Sequence, residues 1–171
     1  MNASKEKATS LLWDSPPVAN RTRMNRPAPD TPFNPAKIAP VLLKMGHVGW
    51  LGLTYDDHGE DWAQLLLPWR MDLLGEEQAQ VLASGPIVSL CDMAGGLCIW
   101  TKLGVYMPVA TLDLRLDYQR PARTQHAVTA RARCYKVTRS AAFVSGLAHD
   151  GDPDDPVAHF TGCFMKIGSS S

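Results

Sequence analysis

Leu112, Leu114, Leu116 and Tyr118 alternate with Asp113, Arg115, Asp117 and Gln119. A period of two over that length predicts a half-buried β-strand, stopped by Arg120-Pro121. Val128, Ala130, Ala132 and Cys134 alternate in the same way with Thr129, Arg131, Arg133 and Tyr135 and predict the next strand. Ser140 to His149 and Val157 to Ile167 predict two more, separated by Asp150-Gly151-Asp152-Pro153-Asp154-Asp155-Pro156. The spaced acids of that linker have the look of a calcium loop, but its prolines and missing bidentate Glu make it a hairpin turn. Upstream, Asn34 as a cap and Pro35 in the first turn predict a short helix reaching Met45. His47 to Tyr55 and Trp62 to Trp69 predict two strands joined by a polar turn at residues 56–60. Residues 70–84 predict a loop-like connection.

Between these strands lies a different pattern. Apolar residues at 87, 88, 90, 91, 94, 97 and 98, with Pro86 near the start, predict a helix over residues 85–101 that is apolar nearly all round and therefore buried. The expected order is helix, two strands, long buried helix, then four strands in an antiparallel meander. One long helix wrapped by a curved antiparallel sheet is an α+β layer arrangement. The sheet covers one side of the helix and leaves an edge strand unpaired, so a dimer is expected. Residues 1–32, rich in Pro, Ser, Asn and Arg without a period, are expected to form a mobile tail. The domain is expected at residues 33–168, with 169–171 a second short tail.

With 171 residues the chain is long enough for one real core, and 17 Lys+Arg against 17 Asp+Glu favour neither nucleic acid nor an anionic membrane. No apolar run approaches the ~20 residues of a membrane span, and the start lacks a secretory core. Cys91, Cys98, Cys134 and Cys163 form no CxxC pair, and reduced core thiols are the expectation. A soluble cytoplasmic protein is expected. His47, His58, His126, His149 and His159 stand at no ligand spacing, so no metal site is expected, and neither a GxSxG elbow nor a P-loop occurs.

Asp92 is the only charge in the apolar stretch from Gly85 to Thr101. A carboxylate in a buried helix is costly unless it is hydrogen-bonded, paired or used, which makes Asp92 a candidate site residue; the alternative is a core Asp bonded to nearby backbone. Helical spacing puts Val88, Ser89, Gly85, Gly95, Gly96 and Ile99 on its face. The glycine pair can let the helix press on the sheet, but a slot beside an acid fits a substrate better than simple packing, since each mid-helix Gly costs ~1 kcal/mol relative to Ala, so Gly95 and Gly96 are expected to border the substrate. Backbone N–H groups near Ser84, Gly85 and Ile87 lie at the positive end of the helix dipole, where an oxyanion or polarised carbonyl is held. An acid along the same face could activate water or attack that carbonyl, which describes acyl transfer to water. Arg120, Arg123, Lys136 and Arg139 cluster at strand ends where phosphates could be gripped.

Two blocks then resemble a known family. Gly85-Pro-Ile-Val-Ser-Leu-Cys-Asp92-Met-Ala-Gly-Gly96 and Ala110-Thr-Leu-Asp-Leu-Arg-Leu-Asp-Tyr-Gln-Arg-Pro-Ala122 are similar to signature blocks of hotdog-fold acyl-CoA thioesterases of the PaaI-like type. Cys134-Tyr-Lys-Val-Thr-Arg-Ser-Ala-Ala-Phe-Val144 and Ala158-His-Phe-Thr-Gly-Cys-Phe-Met165 match in order, so the resemblance runs from about residue 40 to 167. It implies a hotdog fold, a homodimer or dimer of dimers, and an active site shared between subunits. It implies acyl-CoA as substrate, with coenzyme A part of that substrate and no separate cofactor. On the family's pattern Asp92 falls on the catalytic acid, Ser84 and Gly85 on the paired glycines whose N–H polarises the thioester carbonyl, and Thr111 on a hydroxyl from the facing subunit. Arg139, Ser140 and Ala141 match the turn bordering the coenzyme A phosphates. The chain departs from the family in having Ala83-Ser84-Gly85 for His-Gly-Gly and Glu77 for an Asn, a group that Glu77 or Gln80 would have to replace.

The function expected is thus hydrolysis of a medium-chain or aromatic acyl-CoA, with Trp100, Met93 and Ile99 suggesting an apolar tail pocket. The alternative from another class is a non-catalytic acyl-CoA binding or sensing protein. A hotdog dehydratase would need a His beside the acid, and none is near Asp92 in sequence.

Overall fold

A computed structural model describes Ala28 and residues 31–167. The tail expected over residues 1–32 falls almost wholly outside these, as do residues 169–171. The tail's last residues are nonetheless anchored: Pro32 bridges Val105, and the Tyr106 N–H donates to the Thr31 carbonyl at 2.8 Å.

The chain opens with α1 (Pro35–Leu42), whose first turn is capped by Asn34 Oδ1 accepting from the Lys37 N–H at 3.2 Å. The first expected strand is corrected here. Gly46–Leu51 is a second helix, α2, closed by Gly52 at φ 75°, a left-handed position that glycine adopts without penalty. Only Thr54–His58 remains as strand β1, followed by β2 (Trp62–Leu67). The connection before the long helix is more ordered than expected, with a 3₁₀ turn at Met71–Leu73 and a small hairpin of β3 (Leu74–Glu76) and β4 (Val81–Leu82).

The long helix α3 runs from Ser84 to Leu103, and the strands β5 (Val109–Tyr118), β6 (Val128–Val137), β7 (Ala141–His149) and β8 (Ala158–Lys166) follow. They do not form a simple meander. The sheet order is β1-β2-β6-β7-β8-β5, all antiparallel, so β5 crosses the sheet to pair with β8 and becomes an edge. Alternation on β6 turns Val128, Ala130, Ala132 and Cys134 inward, each fully buried. Three of these four are small enough for α3 to approach closely, with Leu65 and Leu67 of β2 and Phe160 and Phe164 of β8 filling the rest of the core.

Candidate functional site

α3 is not buried all round. Leu90, Cys91, Ala94, Leu97 and Cys98 are fully enclosed, whereas Val88 is exposed and Ser89, Asp92 and Met93 are half-open. Asp92 therefore stands on the one stripe of the helix that the sheet leaves uncovered. β5 reaches that stripe, and an irregularity in its pairing decides which side chain meets the acid. Thr111 pairs with Phe164 but Asp113 with Cys163, so Leu112 is an extra residue in a β-bulge. The bulge shifts the phase of the alternation. Leu112, expected inside, is 60% exposed, while Thr111 turns to the helix and donates its hydroxyl to Asp92 Oδ1 at 2.7 Å.

Thr111 thus meets Asp92 within the one chain described. The thiol next to Asp92 is no competitor as a nucleophile. Burial, reinforced by the Asp92 charge, pushes Cys91 up to about 12, so its thiolate is scarce at neutral pH.

The start of α3 is open. Ala83 is extended, and among the described residues no side chain caps the helix, leaving first-turn N–H groups for an external acceptor. Ser84 and Gly85 are both exposed, and a Cβ built on Gly85 would meet nothing within 4 Å. Ser84 is not among the residues with positive φ, so serine replaces a glycine there without backbone strain. Tyr118 folds over this end, its hydroxyl donating to the Ser84 carbonyl at 3.1 Å. Ser84 precedes Asp92 by eight residues, or about 12 Å along the axis at 1.5 Å per residue. A hydrogen bond spans about 3 Å. The Asp92 carboxylate is therefore out of direct hydrogen-bond reach of the Ser84 N–H of its own chain.

Several other expected site residues have structural employment. Gly95 faces Phe164, whose Cζ would lie 2.8 Å from an added Cβ, and Gly96 faces Val109 at ordinary contact distance. The pair lets the sheet press on the helix and forms no slot. Arg120 grips Asp150 through Nη1–Oδ2 (2.8 Å) and Nη2–Oδ1 (2.7 Å) and donates to the Asp155 carbonyl, so it is not free to bind phosphate. Its Nε lies 3.0 Å from Asp155 Oδ2 without hydrogen-bond geometry. Gln80 has its carbonyl taken by Trp69 Nε1 at 3.0 Å and its side chain by Gln125, and the exposed Glu77 bonds nothing among the described residues. Neither contacts Asp92.

Ser89 donates back to the Gly85 carbonyl at 3.2 Å. Arg139 and Ser140 are exposed in the β6–β7 turn and Ala141 is half-buried. Ala141 pairs with Met165, which pairs with Ala110, so this turn stands at the same end of the sheet as Thr111.

Two residues were missed. His47, assigned to a strand by its apolar neighbours, is on α2 with Nε2 3.1 Å from Ser89 Oγ, one turn before Asp92. Tyr106, in the connection after α3, lines an apolar cavity of about 440 Å³ together with Leu42, Met45, His47, Met93, Trp100 and Val109. Met93 adjoins Asp92 in sequence, and Val109 is two residues before Thr111, so the cavity begins beside that pair. Ile99 is fully buried and does not line it. No local signal in the sequence marks either residue: His47 is brought in by α2, remote from α3 in sequence, and Tyr106 by the fold-back of the connection onto Trp100.

The model of the thioesterase superfamily matches residues 80–157. A protein from Pseudomonas aeruginosa is 36% identical over 71% of this chain and 90% of that one, with a TM-score of 0.65. A mutant of the phenylacetic acid degradation protein PaaI from Thermus thermophilus is 26% identical, with 70% and 96% of the two chains covered and a TM-score of 0.60. A thioesterase from Haemophilus influenzae, 21% identical with 83% and 96% covered and a TM-score of 0.71, shares the fold. No curated protein matches the chain.

Proposed function

The chain belongs to the thioesterase superfamily, and from that premise we propose that it hydrolyses acyl-CoA at a site built from two copies of the chain, with Asp92 as the reacting carboxylate. It is a hydrolase acting on thioester bonds; the choice of acyl group and the residue roles that follow are our reading. The observation that carries it is the half-open Asp92 carboxylate, held by a single hydroxyl, on the one uncovered stripe of a long helix. The ~12 Å of axial rise between Ser84 and Asp92 of one helix supports a shared site. β5 is a ten-residue edge strand carrying Leu112 and Tyr118 exposed, a surface that favours pairing with a second copy. A two-fold pairing of that kind would bring Asp92 of one chain toward Ser84 and Gly85 of the other.

In this reading the thioester carbonyl accepts from the Ser84 N–H, at the positive end of α3. Asp92 of the facing chain either takes a proton from the water that attacks the carbonyl carbon, a proton that then passes to the departing sulfur, or attacks that carbon itself to give an anhydride that water cleaves, and Thr111 fixes its orientation. The C–S bond breaks and coenzyme A leaves as the thiol. The cavity beside Met93 and Val109 takes the acyl group, medium-chain or aromatic by its size and apolar wall. Arg139, exposed and without an ion pair among the described residues, is left to meet the coenzyme A phosphates.

Thiol release from a panel of acyl-CoA substrates of rising chain length tests the reading. Turnover with an optimum among medium-chain or aryl groups is expected. The position of the family's Asn carries an unattached Glu77, which favours a second reading, a binding protein. Tight binding across the panel without thiol release would establish that one instead.

A further inference from the structure

The cavity beside Asp92 contains a polar group that thioester hydrolysis does not use. Tyr106 is only 5% exposed, yet its hydroxyl makes no hydrogen bond among the described residues. It is not sealed in either: the one enclosed side-chain nitrogen or oxygen without a partner, among the described residues, is Arg120 Nε. Tyr106 lines the cavity, so its phenol is within reach of what enters there. The ring is held in place, with its centroid 5.0 Å from that of Trp100 and its backbone N–H bonded to Thr31. The Trp100 indole N–H is already taken by the Met107 carbonyl at 2.6 Å, so it offers the cavity nothing. Of the remaining wall, Leu42, Met45, Val48, Met93 and Val109 are apolar, and His47 is engaged with Ser89.

The hydroxyl also stands in a particular place. Trp100 follows Asp92 by eight residues, about 12 Å along the helix, and Tyr106 packs on Trp100. It therefore lies at the end of the cavity remote from the carboxylate, where the tip of an acyl group would arrive.

We propose that Tyr106 is a specificity-determining residue, its hydroxyl bonding an oxygen at the distal end of the acyl group. The protein then prefers acyl groups with an apolar body and a terminal hydroxyl or carbonyl oxygen over plain alkyl groups of equal length. The inference rests on the acyl-CoA thioesterase reading. Its physical basis is asymmetric: an alkyl tip that covers the phenol shuts it away from water unpaired, whereas an oxygen satisfies it.

The experiment compares octanoyl-CoA with its ω-hydroxylated counterpart on wild type, Tyr106→Phe and His47→Gln. Tyr106→Phe removes one oxygen at constant ring volume. Wild type should favour the hydroxylated substrate about three- to tenfold in kcat/KM, the range of one neutral hydrogen bond. Tyr106→Phe should bring the ratio of the two kcat/KM values close to one, and His47→Gln should retain the wild-type ratio. Equal ratios in wild type and Tyr106→Phe, or a preference that follows His47 instead, would overturn the proposal. The same pair prepared as non-hydrolysable thioethers gives dissociation constants by titration. A wild-type enzyme that hydrolyses neither substrate but binds the two thioethers with a Tyr106-dependent difference would refute the catalytic reading and leave this inference standing.

Discussion

Asp150 and Asp92 are both held by hydrogen bonds, and they are held in opposite ways. Asp150 is 3% exposed, and both its oxygens are taken, by the two Nη atoms of Arg120 and by the Arg123 N–H at 2.6 Å. The Arg120 guanidinium holds its carboxyl down at about 2. Asp92 is half-open and accepts one bond, from Thr111. A carboxylate that is enclosed and holds three fixed donors offers no open lone pair to a substrate. One that a single hydroxyl orients, with its other lone pairs free, can take a proton from water or attack carbon. Burial of an acid thus says little about its task until its remaining acceptor capacity is counted.

The difference can be broken at either end. Asp92→Asn keeps the size and removes the charge, and kcat for thiol release should fall more than a thousandfold, about 4 kcal/mol of barrier, with circular dichroism and melting temperature near wild type. A folded variant keeping a tenth of wild-type kcat would remove Asp92 from the chemistry.

Asp150→Ala should do the reverse. It takes two charge-assisted bonds from Arg120, which keeps Asp155 as its partner, at a cost of about 3 kcal/mol, read as a lower midpoint in urea, while kcat of the folded fraction stays within severalfold. The pair also makes a pH signature. Its folded value near 2 lies below the ordinary carboxylate value of about 3.9, so its stabilisation is complete above about pH 4 and is lost as pH falls through about 2. Wild type should lose stability across that window, and Asp150→Ala should be flatter there.

Thr111→Val, the smallest of these changes, deletes one hydroxyl at constant shape. The expected loss is about tenfold in kcat, one hydrogen bond to a charged group at its lower limit, with KM little moved. An equal rise in KM with kcat intact would make Thr111 a substrate contact.

The strands after α3 were legible because alternation is a local property, and Asp92 was legible because one charge broke an apolar run. What failed was what depends on distant partners. Gly46–Leu51 has the apolar and aromatic content of a strand, but Gly52 at φ 75° and the Leu53 N–H bonded to the Val48 carbonyl close it as a helix. The bulge at Leu112 reverses which residues of β5 face inward, and it is set by pairing with β8, some fifty positions along the chain. Arg120 read as a free cation at a strand end because Asp150 meets it only when β7 and β5 are folded. The glycines beside Asp92 read as a slot for substrate, yet it is Phe164 that fills the space beside Gly95.

The central claim is that one chain's Asp92 works on a carbonyl held by the other chain's Ser84 N–H. Ser84→Pro removes that N–H at the first helical position, where proline is well tolerated and the extended Ala83 before it suits a proline neighbour. Alone, Ser84→Pro and Asp92→Asn should each be nearly inactive. Subunits of the two variants, dissociated together and reassembled, should yield mixed dimers with one intact site each. With random mixing, half the dimers are mixed and each has half its sites restored, so activity should return to about a quarter of wild type. Activity no greater than the sum of the two variants would contradict a site shared between chains.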